Sequence, residues 1–200
     1  MLTVASDRLP VRLLIDVDNT LNDLTTHFFK WLDKMGVEYD SYINNYDLKK
    51  CIKSPKRNKI FKLIMNNPEF WKTIPFLPEA IDMLQSLNKL TSLYIVTVPF
   101  SKGTAEAKYQ TIANQFPFIK YDHIIFYEKK WELEADIIVE DKPETLLKCN
   151  ENGMITVKKR QPYNLSVPSH FEFETWKEAR VIFPKVLTYA IERKNLGGTE

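Results

Sequence analysis

The sequence predicts an α/β fold, a parallel sheet covered by helices on both faces, with a small helical insertion after the first strand. Three observations lead there. Short apolar runs, which suit strands buried on both faces, alternate with segments whose apolar residues recur at helical spacing. The alternation is regular except over residues 36–75, where strong strand signals are missing. The length of 200 residues, 44% of them hydrophobic and 27% charged, is that of one ordinary globular domain with its own core.

The first strand is expected over residues 11–17 (VRLLIDV), a nearly continuous apolar run whose end carries carboxylates. Leu24, Phe28, Trp31, Leu32 and Met35 then recur at helical spacing, so a helix follows directly. Residues 36–75 hold a helical stripe of Ile60, Phe61, Ile64 and Met65 and are read as a small, mostly helical insertion. Pro78 suits the first turn of a helix, where its missing N–H costs nothing, and Ile81, Leu84 and Leu87 form that helix's apolar face. A strand at 93–98, a helix at 104–116, strands at 123–127 and 136–139, a helix from Pro143 and a strand at 154–158 continue the alternation. Pro162 and Pro168 break the tail, which closes in a helix at about 175–193.

Lysine and arginine number 28 against 26 aspartates and glutamates, a net charge of +2. That balance gives no whole-molecule case for wrapping DNA or coating an anionic membrane. Cys51 and Cys149 match no zinc spacing and cannot build a disulfide framework, which fits a reducing, cytoplasmic setting. The start of the chain has no basic region followed by a long apolar run, and no stretch approaches the roughly 20 apolar residues of a membrane span. The five glycines form no dinucleotide or P-loop fingerprint, and there is no nucleophile elbow of the serine hydrolases. His27, His123 and His170 stand singly and are read as structural.

Ligands of open α/β sheets bind at the carboxyl ends of the strands, and three of the expected ends are polar: Asp16-Val17-Asp18-Asn19-Thr20, Thr97-Val98-Pro99 and Glu140-Asp141-Lys142-Pro143. Convergence would gather Asp16, Asp18, Glu140 and Asp141 around one point with Thr97 beside them. Carboxylates so close repel unless a cation sits among them, and a hard, oxygen-liganded ion that also accepts phosphate oxygens suggests Mg²⁺. Asp16 and Asp18 would share one face of a regular strand. The chain is leaving the strand there, which frees one for the metal and the other for the substrate. Their spacing suits one carboxylate attacking phosphorus while the other handles the leaving group's proton. Lys130, ten residues before Glu140, is placed to neutralise charge on the phosphoryl oxygens. Asp141 also stands where a helix N-cap is expected, a role compatible with metal binding.

In order along the chain, LLIDVDNT (13–20), Thr97 in LYIVTVP (93–99), Lys130 or its neighbour Lys129, and IIVEDKPE (137–144) match four motifs. By these the chain resembles the haloacid dehalogenase superfamily of phosphotransferases. The resemblance implies a Rossmann-like core over residues 1–27 and 77–200 with a helical cap inserted at 28–76. It implies that Asp16 is the nucleophile that becomes an aspartyl phosphate, and that Asp18 is the acid that then serves as base for water. Mg²⁺ would be held by Asp16, the Asp18 backbone carbonyl and Asp141, and the transferring phosphate by Thr97 and Lys130.

Within the superfamily the chain is most similar to the 5′(3′)-deoxyribonucleotidase family, over roughly residues 11–150. The insertion after the first motif, Phe70-Trp71 to Ile74-Pro75 leading into Leu77-Pro78-Glu79-Ala80, and Lys-Pro-Glu after the acidic pair carry that similarity. The family commonly has Gly where Glu79 stands, Ser at Val98 and Asp at Glu140, so Val98 removes a potential phosphate hydroxyl. Dephosphorylation of nucleoside monophosphates, small-molecule substrates, is the implied function.

Between Leu48 and Pro68 stand Lys49, Lys50, Lys53, Lys56, Arg57, Lys59 and Lys62, with no acidic residue. Such a run is usually a solvated face. The alternatives are a cationic lid that draws anionic substrate to the cleft, or a grip on a 3′-phosphorylated nucleic-acid end. Phe28, Phe29, Trp31, Phe70 and Trp71 are core by spacing, with Phe28 and Phe70 as alternative stacking partners for a nucleobase. A binding domain without catalysis would have no need of both Asp16 and Asp18.

Overall fold

The computed structural model describes residues 9–42 and 44–197. Along the chain run β1 (Arg12–Ile15), α1 (Leu24–Lys34), α2 (Arg57–Met65), α3 (Pro68–Lys72), α4 (Pro78–Leu90), β2 (Ser92–Thr97) and α5 (Lys102–Gln115). They are followed by β3 (Ile124–Phe126), β4 (Ile137–Glu140), α6 (Pro143–Glu151), β5 (Ile155–Lys159), β6 (Phe171–Phe173) and α7 (Trp176–Gly197). The sheet has the order β3-β2-β1-β4-β5-β6, and every pair in it is parallel. The parallel α/β expectation therefore holds.

Period-two alternation explains why the strands read as unbroken apolar runs. Leu13, Ile15, Ile95, Ile137 and Val139 pack on one face with Leu84 and Leu87 of α4, Ile112 of α5 and Phe183 and Val186 of α7. Leu14, Val96 and Ile138 point the other way, against Cys149 of α6 and Met154. Each such buried aliphatic side chain contributes about 1.5–3 kcal/mol by leaving water. The tail holds one strand the sequence did not announce. β6 is three residues long, too short for any periodicity to register, and pairs with β5 from Val157↔Phe171 to Lys159↔Phe173.

Residues 24–74 have an apolar cluster of their own, with Leu24, Phe28, Leu32, Leu48, Ile64, Phe70 and Trp71 packed against Ala107 of α5. The chain enters and leaves this region side by side, through the antiparallel bridge Asn22↔Phe76 and hydrogen bonds from Asp23 N to Pro75 O (3.1 Å) and Leu77 N to Leu21 O (2.9 Å). The expected boundary at 27/28 falls inside α1, whose N-cap is Asp23, accepting from the Thr26 amide. Within the region, α3 starts with Pro68 behind an Asn67 cap.

Candidate active site

Strand register builds the site. Ile15 lies level with both Ile95 and Val139, so Asp16 emerges one residue past β1 next to Glu140, the last residue of β4, with Thr97 closing β2 alongside. This is where the order reverses between β1 and its two neighbours, the usual ligand crevice of an open sheet. Directly afterwards the chain turns, with Leu21 N donating to Val17 O at 2.8 Å and Asn19 at φ 57°, a left-handed conformation that asparagine tolerates. The turn carries Asp18 out of the strand, where its partly exposed carboxylate meets a different set of partners from that of Asp16.

Lys130, in a 3₁₀ turn at Lys130–Glu132, is buried and donates to Asp16 Oδ1 and, at 2.7 Å, to Glu140 Oε2. Lys129 instead points outward and pairs with Glu132 at 3.0 Å. Glu140 Oε1 accepts the amides of Asp141 (3.1 Å) and Lys142 (3.0 Å), so Glu140 fixes the turn into α6 and orients Lys130. Asp141 accepts from Thr20 Oγ1 at 3.1 Å and from the Tyr163 hydroxyl, and its backbone carbonyl accepts from Asn164 Nδ2 at 2.7 Å. It is fully buried and does not make the expected N-cap contact: α6 is preceded by Lys142 and has no side-chain cap.

Asp16, Glu140 and Asp141 bring ligand oxygens within 4.8 Å of one another, all buried. Burial, then repulsion from Glu140 and Asp18 against the pull of Lys130, pushes the Asp16 carboxyl up to about 7. Burial and the charges of Glu140 and Asp16 likewise hold Asp141 well above the usual carboxylate range. Burial alone would lower Lys130, but Asp16 and Glu140 keep its ammonium above its ordinary value. Four carboxylates thus meet two ammonium groups, Lys130 and Lys108. An all-oxygen set with this excess of negative charge fits a hard divalent cation.

Thr97 is fully buried, and its Oγ1 has no hydrogen-bond partner among the described residues. A buried hydroxyl left unpaired costs about 1–3 kcal/mol, so it is poised for a ligand oxygen. Thr97→Val is expected to leave stability unchanged or raise it by about 1 kcal/mol in denaturant titration. If Thr97 binds the phosphoryl group, the same variant loses roughly a hundredfold in activity, as removal of a transition-state donor does.

Two sequence expectations need correction. Phe28 and Phe70 have no exposed surface: Phe28 lies on the inward stripe of α1, and Phe70 is wedged against His27, Trp31 and Trp71. Neither ring is free to stack on a base. The cleft beside Asp18, about 390 Å³, is walled instead by Tyr46, Phe61, Trp71, Val98 and Phe100. In the basic stretch Lys49 pairs with Asp47, while Lys50, Lys53, Lys56, Arg57, Lys59 and Lys62 are exposed.

Sequence reasoning also missed Lys108, Tyr163 and Tyr46. Lys108 donates to Asp18 at 2.5 Å, Tyr163 donates to Asp141, and Tyr46 stands edge-on to Tyr163 with the Lys142 ammonium over its ring. None belongs to a motif. The histidines are structural: His27 bonds Phe70 O (3.0 Å), His123 bonds Leu93 O (2.8 Å), and His170 bonds Thr156.

A parallel sheet of this order, with an aspartate pair leaving its central strand and a lysine and threonine beside the first aspartate, defines a haloacid dehalogenase-like phosphatase. Solved structures agree on the fold. A haloacid dehalogenase-like hydrolase from Streptococcus pneumoniae superposes with a TM-score of 0.58 at 15% identity, covering 87% of this chain and 98% of that one. A HAD-hydrolase from Bacillus subtilis, bound to magnesium, gives 0.55 at 15% identity over 88% of this chain and 99% of that one. The 5′(3′)-deoxyribonucleotidase of Clostridium acetobutylicum is 29% identical over 170 residues, 84% of this chain and 92% of that protein. Residues 9–188 match the family model described as 5′ nucleotidase, deoxy (pyrimidine), cytosolic type C, and the chain belongs to that family. Among the described residues no helix is long and apolar enough to cross a membrane.

Proposed function

We propose that this phosphatase hydrolyses nucleoside monophosphates, preferably deoxy, through an aspartyl phosphate on Asp16, with Mg²⁺ as cofactor. The observation that carries this reading is the buried Asp16 carboxylate beside Lys130, together with a buried Thr97 hydroxyl that has no partner among the described residues: a nucleophile, a charge and a free donor that a phosphoryl group would engage. Asp16, the Asp18 backbone carbonyl and Asp141 would hold Mg²⁺, which supplies positive charge between carboxylates and a phosphoryl group.

Asp16 attacks phosphorus as Asp18 gives a proton to the departing alcohol oxygen. Asp18, now a carboxylate, takes a proton from water, whose oxygen displaces Asp16 and releases inorganic phosphate. Lys130 and Thr97 hold the phosphoryl oxygens throughout. The insertion, residues 28–76, acts as a cap: its Tyr46, Phe61 and Trp71 face Asp18 across the cleft, where base and sugar would lie. The unpaired, buried thiols of Cys51 and Cys149 suit a cytoplasmic setting.

The test is phosphate release from deoxy- and ribonucleoside 5′- and 3′-monophosphates and from 3′-phosphorylated oligonucleotides, in Mg²⁺ or EDTA. Mg²⁺-dependent release favouring a deoxynucleotide is expected. Release confined to 3′-phosphorylated oligonucleotides would replace the substrate assignment.

A further inference from the structure

We propose that Lys108 is the positioning residue for Asp18, holding its carboxylate so that Oδ1 is the atom that exchanges the proton with the leaving group; this rests on the hydrolase reading above. Lys108 sits on α5, outside every motif, and its side chain is only 3% exposed. Its ammonium donates to Asp18 Oδ2 at 2.5 Å and to the Val98 carbonyl at 3.0 Å, and lies 4.6 Å from the centre of the Trp71 ring. Carboxylate, carbonyl and π-face are three suitable partners for a buried ammonium. Among the described residues the other oxygen of Asp18, Oδ1, receives only the Asn22 amide, at 3.2 Å.

The asymmetry decides the chemistry. An oxygen held by an ammonium is the less basic of the two, so Oδ1, which faces only a neutral amide among the described residues, is the oxygen left to exchange a proton with the leaving group. Asp18 lies outside the strand and would otherwise be free to turn about its side-chain bonds. Lys108 removes that freedom by fastening it to the carbonyl that follows Thr97 and to Trp71 of the insertion. Since small misplacements of a catalytic group cost large factors in rate, the anchor matters although Lys108 makes no contact with Asp16. Lys130 occupies that place.

Leaving-group dependence tests this. In the first half-reaction the bond from Asp16 to phosphorus forms, the bond from phosphorus to the leaving oxygen breaks, and the Asp18 proton passes to that oxygen. A nucleotide must leave as an alcohol and needs the proton; 4-nitrophenolate leaves without it. Comparing kcat/KM, which ends at release of the first product, keeps the later hydrolysis out of the comparison. For Lys108→Met we expect a loss of roughly 100-fold on a deoxynucleoside monophosphate and under about threefold on 4-nitrophenyl phosphate, the size of a general-acid contribution. Asp18→Asn should show the same selectivity, and Lys108→Arg should recover at least about a tenth of wild-type nucleotide activity.

Equal losses on both substrates, or no loss on the nucleotide, would overturn the assignment and leave Lys108 as scaffolding. Should the methionine variant not fold, as judged by circular dichroism and melting temperature, Lys108→Gln is read by the same criteria. Wild-type protein inactive on both substrates would instead overturn the hydrolase reading, and the Lys108 role with it.

Discussion

Asp16→Asn will reduce phosphate release to less than about a hundredth of the wild-type rate, because it removes the proposed nucleophile and with it a whole step of the reaction. The fold will survive, since asparagine matches the shape of the side chain. Stability gives a second, independent signature. The Asp16 carboxyl is raised from the ordinary 3.8 to about 7, chiefly by burial. Between those values the native protein keeps a proton that the unfolded chain has released, so this group makes stability fall as pH rises from about 4 to about 7. Asparagine does not titrate. In EDTA, the melting temperature of the variant relative to wild type should therefore climb over that range and level off above it. His27 and His170, both lowered mainly by burial, act in the opposite sense, but they are common to both proteins and cancel in the difference. A flat difference would mean that Asp16 is not the strained carboxylate of the cluster.

Chelation will produce the second large effect. The carboxylates exceed the ammonium groups that touch them, and a phosphate brings further negative charge to the same place. EDTA should lower turnover at least about a hundredfold, with recovery on adding Mg²⁺. Binding to the folded state alone also stabilises it, by about 2.7 kcal/mol when the ion is at 100 times its dissociation constant. For a chain of this size that is roughly 5–10 °C in melting temperature. Asp141→Asn should lose most of that gain, which separates a site in the carboxylate cluster from ions bound loosely elsewhere on the surface.

Much of this was legible in the chain because periodicity and motif order speak about the same places. The runs around Leu13–Ile15, Ile95–Thr97 and Ile137–Glu140 are apolar throughout because helices cover both faces, and their polar ends are where register brings Asp16, Thr97 and Glu140 together. Depth within the insertion was less legible. Phe28 and Phe61 both lie at helical spacing, yet one is sealed in and the other lines the cleft, a difference set by the packing of α1 and α2 rather than by either sequence. Lys108 was invisible for a similar reason: α5 reads KGTAEAKYQTIANQ, with no clear apolar stripe to mark a lysine as inward-facing. Tyr163 lies in the tail that the prolines break up, and its bond to Asp141 spans 22 residues that no motif connects.

The strand order also dictates how the chain must be made. β1 lies inside the sheet and is the earliest in the chain of the six described strands, but its partner β2 begins about eighty residues later and β4 about forty-five after that. At roughly 5–20 residues per second, β1 waits about 4–16 s for its first neighbour and several seconds more for the second. Throughout that interval the segment that leads into Asp16 is an unpaired apolar strand, open to any passing edge. Of the six described strands β1 thus waits longest for both of its neighbours, and a holdase or a slow folding step has its natural target there.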